Sequence, residues 1–99
     1  MIQGTTPTHK FNLDISTDLV SEIRASYEQN GNIVLEKQTE DFVMSGNTAE
    51  VKLTQEETML FEAPSSARVQ LHIRTTDDNA LVARPITTPV HILLNKKEV

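Results

Sequence analysis

The run Ala67-Arg68-Val69-Gln70-Leu71-His72-Ile73-Arg74-Thr75 constrains this chain more than any other stretch. Val69, Leu71 and Ile73 alternate with Arg68, Gln70, His72 and Arg74, which is the two-residue period of a half-buried strand. Upstream, Glu50-Val51-Lys52-Leu53 alternates over a shorter span. Thr54 lies between the two runs as a good N-cap, and Glu57 three residues later completes a capping box. A single short helical turn at the 54–60 corner is therefore expected. Leu53, Met59 or Leu60, and Phe61 can then plug the end of a β-sandwich.

The rest of the chain follows the strand pattern. Phe11, Leu13 and Ile15 face inward along 9–15, and Leu19 and Val20 are expected to tuck under the sandwich after a loop at Ser16-Thr17-Asp18. Residues 21–29 have the length of a helix, but Ile23, Ala25 and Tyr27 alternate with Glu22, Arg24, Ser26 and Glu28. The following Asn30-Gly31 is the strongest short hairpin signal, because a type I′ turn needs positive φ at both central residues. A second hairpin turns at Ser45-Gly46-Asn47 and a third at Thr76–Asn79. Pro85 breaks the last strand, and Pro89 confines it to an edge or a bulge.

Strands are thus assigned to 9–15, 21–29, 32–37, 41–45, 48–53, 67–75 and 80–93. The expected fold is all-β, a single seven-stranded immunoglobulin-like antiparallel β-sandwich over residues 1–99. One sheet would hold 32–37, 21–29, 67–75 and 80–93, and the other 9–15, 48–53 and 41–45. The lead-in 1–8 and the tail 95–99 are expected to be flexible.

Ninety-nine residues suffice for one core and no second one. The absence of cysteine excludes disulfides and thiolate metal sites. Met1–Thr8 has neither a basic n-region nor an apolar segment, so no signal peptide is expected, and no apolar run has the length of a membrane helix. A cytoplasmic site of synthesis follows, with no membrane partner. Net charge is −5, and the surplus is local: residues 36–62 carry seven acids against two lysines. That balance disfavours nucleic acid, whose phosphates need a basic surface. The acids read as a solvated rim, with Glu56 and Glu57 favoured in the first helical turn by its dipole.

No constellation points to chemistry. His9, His72 and His91 stand at no metal-binding spacing and read as surface residues. The serines lie in no nucleophile-elbow context, the three glycines are too scattered for a phosphate loop, and the spacing of Glu56, Glu57 and Glu62 matches no calcium loop. Phe11 and Tyr27 fall on inward positions, which makes them core before they are a sugar platform. Tyr27 can send its hydroxyl to a partner at the rim. No catalytic residue, cofactor or metal ligand is assigned, and an enzyme is not expected. What stands out is the outward face of the larger sheet, where Arg24, Arg68, His72 and Arg74 form a candidate interface with Gln70 and Arg84 nearby. Contacts are expected there or at the 32–37 edge, since two prolines blunt the last strand.

Several segments together resemble a family of small proteins encoded in prophages of Gram-positive bacteria. They are Gly4-Thr5-Thr6-Pro7-Thr8-His9 with Phe11, Tyr27-Glu28-Gln29-Asn30-Gly31, Ile33-Val34-Leu35-Glu36-Lys37, Gly46-Asn47-Thr48 and Leu53-Thr54-Gln55-Glu56-Glu57-Thr58. The resemblance implies a phage structural or interaction protein, similar to baseplate-type β-sandwich domains of the virion tail. Its partners would be further copies of itself or larger virion proteins. The alternative is a small phage-encoded regulatory or host-interaction module. The resemblance carries over no site residues.

Overall fold

The alternating run that begins at Ala67 becomes the central strand of the larger of two antiparallel sheets. The structure, a computed structural model, describes residues 1–93, and the tail expected at 95–99 lies outside them. The strands are β1 (Thr8–Asn12), β2 (Val20–Gln29), β3 (Asn32–Lys37), β4 (Phe42–Ser45), β5 (Thr48–Lys52), β6 (Ser65–Thr75), β7 (Ala80–Val82) and β8 (Ile86–Val90), with one helical turn, α1 (Gln55–Thr58), between β5 and β6. Short 3₁₀ turns occupy Thr17–Leu19 and Thr39–Asp41. The smaller sheet runs β1-β5-β4. The larger runs β3-β2-β6, with β7 and β8 sharing the far side of β6.

The strand contents of both sheets agree with the sequence expectation. The strand count does not, because the span expected as one strand over 80–93 is two. β7 pairs with His72–Arg74 and β8 with Ser65–Val69, and Ala83-Arg84-Pro85 must cross only Gln70 and Leu71 between them. One residue too many, ending in a proline that cannot donate, breaks the ladder. The Gln70 side-chain amide donates to the Ala83 carbonyl at 2.9 Å and holds the break against the sheet.

Local chemistry explains the remaining turns. Asn30 and Gly31 both have positive φ, 53° and 81°, as a type I′ turn demands, and β2 is a strand along its whole length. Two apolar positions depart from expectation. The 3₁₀ turn at Thr17–Leu19 is capped by Ser16 and tied through Thr17 to the Gly46 carbonyl, which swings Leu19 outward, while Val20 packs partly against the core. Ile15 lies beyond the end of β1 and is half-buried.

The sheets close over one core. Phe11, Leu13, Phe42, Ala49, Val51 and Leu53 come from the smaller sheet and its extensions. Ile23, Ala25, Tyr27, Ala67, Val69, Leu71 and Val90 come from the larger, with Ile73 half-buried beside them, and Phe61 comes from the corner. Among the described residues no helix is long and apolar enough to cross a membrane.

The corner forms as its capping box dictates. Thr54 Oγ1 accepts from Glu57 N–H at 3.1 Å, and Glu57 Oε1 accepts from Thr54 N–H at 2.8 Å. Of the expected plug residues, Leu53 and Phe61 are buried but Met59 and Leu60 face solvent. Thr58 takes the inward position instead. Its hydroxyl accepts from Gly4 N–H at 2.9 Å and has the carbonyls of Thr5 and Gln55 each 3.0 Å away. The lead-in is bonded to the body here: Ile2 bridges His91 in parallel, and the buried Gln3 amide donates to the Phe61 carbonyl at 2.8 Å. Gly4, at φ 75°, lies so close to Leu93 that a Cβ would stand 2.8 Å from its Cδ2.

Candidate functional site

On β2 and β6 every second side chain points away from the core, and the register decides which of them meet. Arg24 stands opposite His72, Arg74 opposite Glu22, and Arg68 opposite Glu28. The face is therefore a ladder of mixed charge, and the basic surface expected from the arginines alone does not form. Arg68 is spent on Glu28 at 2.6 Å, and this contact holds the Glu28 carboxyl below its usual range. Arg74 is spent on Asp78 at 2.8 Å, four residues on in the hairpin. Arg24 and His72 have no hydrogen bond or ion pair among the described residues.

Three of the four expected interface residues, Arg24, His72 and Arg74, line one groove of about 630 Å³. Arg68 lies farther along the sheet and outside it. One wall is the 3₁₀ turn with Thr39 and Glu40, and the other is β7. Thr39 fixes its wall to β2, since its hydroxyl accepts from Ile23 N–H at 3.0 Å and reaches the Ile23 carbonyl at 3.2 Å. On the β7 wall Leu81 and Val82 are 44% and 58% exposed. Leu81 also borders a second hollow of about 360 Å³ with Ile15 and Leu19. The sequence pattern missed these apolar residues as surface, because alternation assigns Leu81 inward without revealing that β7 is three residues long and exposed throughout.

The sheet edges offer less. β3 carries a bulge, since Tyr27 pairs with Leu35 and Glu28 with Ile33, leaving Val34 extra. β4 is four residues long, β1 exposes Lys10 at its middle, and β7–β8 is broken and holds Pro89. Short length, lysine, proline and bulges are the standard means of discouraging strand addition. Contacts to the 32–37 edge, an alternative expected from sequence, are disfavoured by that bulge.

A second polar cluster lies inside, and of its contacts only a partner for the Tyr27 hydroxyl is expected from the sequence. The Tyr27 hydroxyl is 2.6 Å from Nδ1 of His9, and its ring meets Phe61 edge-on at 5.9 Å. His9 is thus a half-buried partner of the core, contrary to its expected surface position, and His72 is also half-buried. Burial, and secondarily the Met1 amine, lowers the His9 pKa. Burial, with the Glu57 charge nearby, raises the Tyr27 pKa. The Lys37 ammonium is buried and lies 2.7 Å from Glu57 Oε1. Burial alone would raise the Glu57 pKa, but the bonds from Lys37 and Thr54 outweigh it and hold the carboxyl low. Glu57 is therefore not part of a solvated rim. No buried side-chain nitrogen or oxygen among the described residues lacks a partner, so this cluster is complete in itself.

Among the described residues no three His, Asp or Glu side chains are grouped as a metal site would need. No protein-family model, curated protein or solved structure matches the chain.

Proposed function

We propose that this chain is a non-enzymatic structural or interaction protein of a prophage, associated with the virion tail or baseplate, that acts through protein–protein contacts at the Arg24 groove. The observation that carries the reading is the state of Arg24: a guanidinium with no hydrogen-bond or ion-pair partner among the described residues, set in a groove whose far wall exposes Leu81 and Val82. Arginine beside apolar side chains is the composition of an interface centre, where the planar fork pairs with a carboxylate and the apolar atoms leave water. The prophage assignment rests on the segment resemblance. The division into β1-β5-β4 and β3-β2-β6-β7 supports the finer reading of an immunoglobulin-like sandwich, with the break at Ala83–Pro85 dividing its last strand.

The test is mass spectrometry of purified particles from an induced lysogen carrying the chain, beside a lysogen carrying Arg24→Glu. The chain is expected in the particles, and the charge-reversed variant is expected to be depleted. Absence of the parent chain from particles would overturn the virion assignment. Equal incorporation of the variant would overturn the role of the groove.

A further inference from the structure

The tip of the hairpin between β2 and β3 holds a reactive pair that the fold keeps apart. Asn30-Gly31 is the one place in the chain where asparagine precedes glycine. An asparagine amide carbon is open to attack by the main-chain nitrogen that follows it, and glycine, with no side chain, leaves that nitrogen unshielded. Both residues are exposed, and a Cβ built on Gly31 would meet no atom of the described residues within 4 Å beyond its chain neighbours. Each reacting group is nonetheless held by a carboxylate. Asn30 Nδ2 donates to Glu62 Oε2 at 3.0 Å, and Gly31 N–H donates to Glu28 Oε1 at 3.3 Å. Ring closure also needs the Gly31 nitrogen to swing to the same side as the Asn30 Cβ. With φ positive at both residues, 53° and 81°, the turn is of type I′. The first central residue of such a turn has ψ of about +30°, which sets the next nitrogen nearly opposite Cβ.

We propose that Asn30 is a deamidation site gated by opening of this turn, and that the reaction converts a tie between hairpin and corner into a repulsion. The Gly31 nitrogen bonds to Asn30 Cγ, and the Cγ–Nδ2 bond breaks. Nδ2 leaves as ammonia, with the proton of Gly31 N–H delivered to it through solvent, and a five-membered cyclic imide remains. Water then adds to one of the two imide carbonyls and opens the ring. The product is aspartate, or its isomer in which the main chain runs through the former side chain. Water is the only co-reactant, and nothing is oxidised or reduced. A carboxylate now stands where an amide donated to Glu62, and the neighbouring Arg68 is already paired with Glu28. The isomer also lengthens the turn by one main-chain atom, which a two-residue loop matched to its strands does not absorb. Gln29 is then left to hold the Glu62 backbone without help from the Asn30 side chain.

Peptide mapping by mass spectrometry tests this on the full chain, incubated in warm, mildly alkaline buffer with and without urea. In urea the acid is expected first at residue 30, ahead of Asn12, Asn32, Asn47 and Asn79, as both aspartate and its isomer. The folded chain should convert at the same residue about tenfold more slowly, as a turn that opens only part of the time implies. Glu62→Ala frees the Asn30 amide and should raise the folded rate roughly threefold while leaving the rate in urea unchanged. Glu62 is exposed, and a melting curve matching the parent's would exclude general unfolding as the cause. A folded chain that converts as fast as the unfolded one would overturn the gate, and first conversion at another asparagine would overturn the site. So would a folded chain that never converts, in parent and Glu62→Ala alike. An unchanged folded rate in Glu62→Ala alone would remove Glu62 from the clamp. Asn30→Asp carries the new charge without the longer turn and should melt below the parent. A variant that melts with the parent would overturn the repulsion.

Discussion

The two ends of β2 solve opposite problems with similar residue types. At the corner end every buried side-chain polar atom among the described residues is partnered: Glu57 holds Lys37 and Thr54, Tyr27 holds His9, and Gln29 clasps the Glu62 backbone on both its carbonyl and its amide. At the groove end Arg24 points into open space, and Leu81 and Val82 keep about half their surface. A charge costs least in folding where it stays wet, and contributes most where it is buried with a complete set of partners. The corner end therefore carries stability, and the groove end keeps exposed the side chains through which the proposed contacts would be made.

Substitution should expose that division. Phe61→Ala empties the plug between the sheets and removes the edge-on contact with Tyr27. The expected cost is about 3–5 kcal/mol in urea unfolding. Leu81→Ala, an apolar truncation of comparable type at the groove end, should stay within about 0.5 kcal/mol. Equal losses at the two positions would mean that the groove end is part of the core.

The next largest effect concerns the buried ion pair. Glu57→Gln leaves the Lys37 ammonium without its counter-charge and should cost about 1–3 kcal/mol by the same measurement. Lys37→Met, which removes the charge and keeps an apolar stem, should cost less. Glu56→Gln, next door but exposed, should be silent. Sequence reading treats Glu56 and Glu57 alike as a rim, and the structure separates them.

Why one could be read and the other could not follows from the range of each signal. The capping box Thr54-x-x-Glu57, the Asn30-Gly31 turn and the alternation of 67–75 are contained in a few consecutive residues, and all three formed as expected. The membership of each sheet was legible for the same reason, since hairpins join neighbours. The pairing of Lys37 with Glu57 depends on a corner folding back over the neighbouring strand, and the meeting of His9 with Tyr27 depends on two sheets stacking. Nothing local announces either. The groove falls between these cases: alternation placed Arg24, His72 and Arg74 on one face, but the opposing Glu22 and Glu28 and the exposure of the short β7 required the register and the packing.

A smaller effect, on pH, should also divide the ends. Folding lowers the His9 pKa below its ordinary 6.5, so the folded chain binds a proton less readily than the unfolded one. Stability from this residue is therefore complete above pH 6.5 and is lost as pH falls toward the folded-state value. Glu57, whose pKa is also lowered, adds a second loss as pH falls below its ordinary 4.5. The melting temperature should decline in two steps. His9→Gln should flatten the first and leave the second, and an unchanged first step in that variant would place the titrating group elsewhere.

The smallest expected change in stability is the most informative about function. Arg24→Ala removes a side chain that makes no ion pair or hydrogen bond among the described residues, on a strand whose core residues Ile23 and Ala25 are untouched. Surface substitutions of this kind shift unfolding by no more than about 0.5 kcal/mol, and the midpoint should barely move. Loss of a partner contact should nonetheless be plain, because a guanidinium at the centre of a desolvated patch pairs with its acid only in the complex. The two readouts must therefore part company at Arg24 and coincide at Phe61, where association fails only because folding does. An Arg24→Ala protein that melts several degrees lower than its parent would mean that the arginine serves the sheet, and the division between a stabilising corner and an interacting groove would not hold.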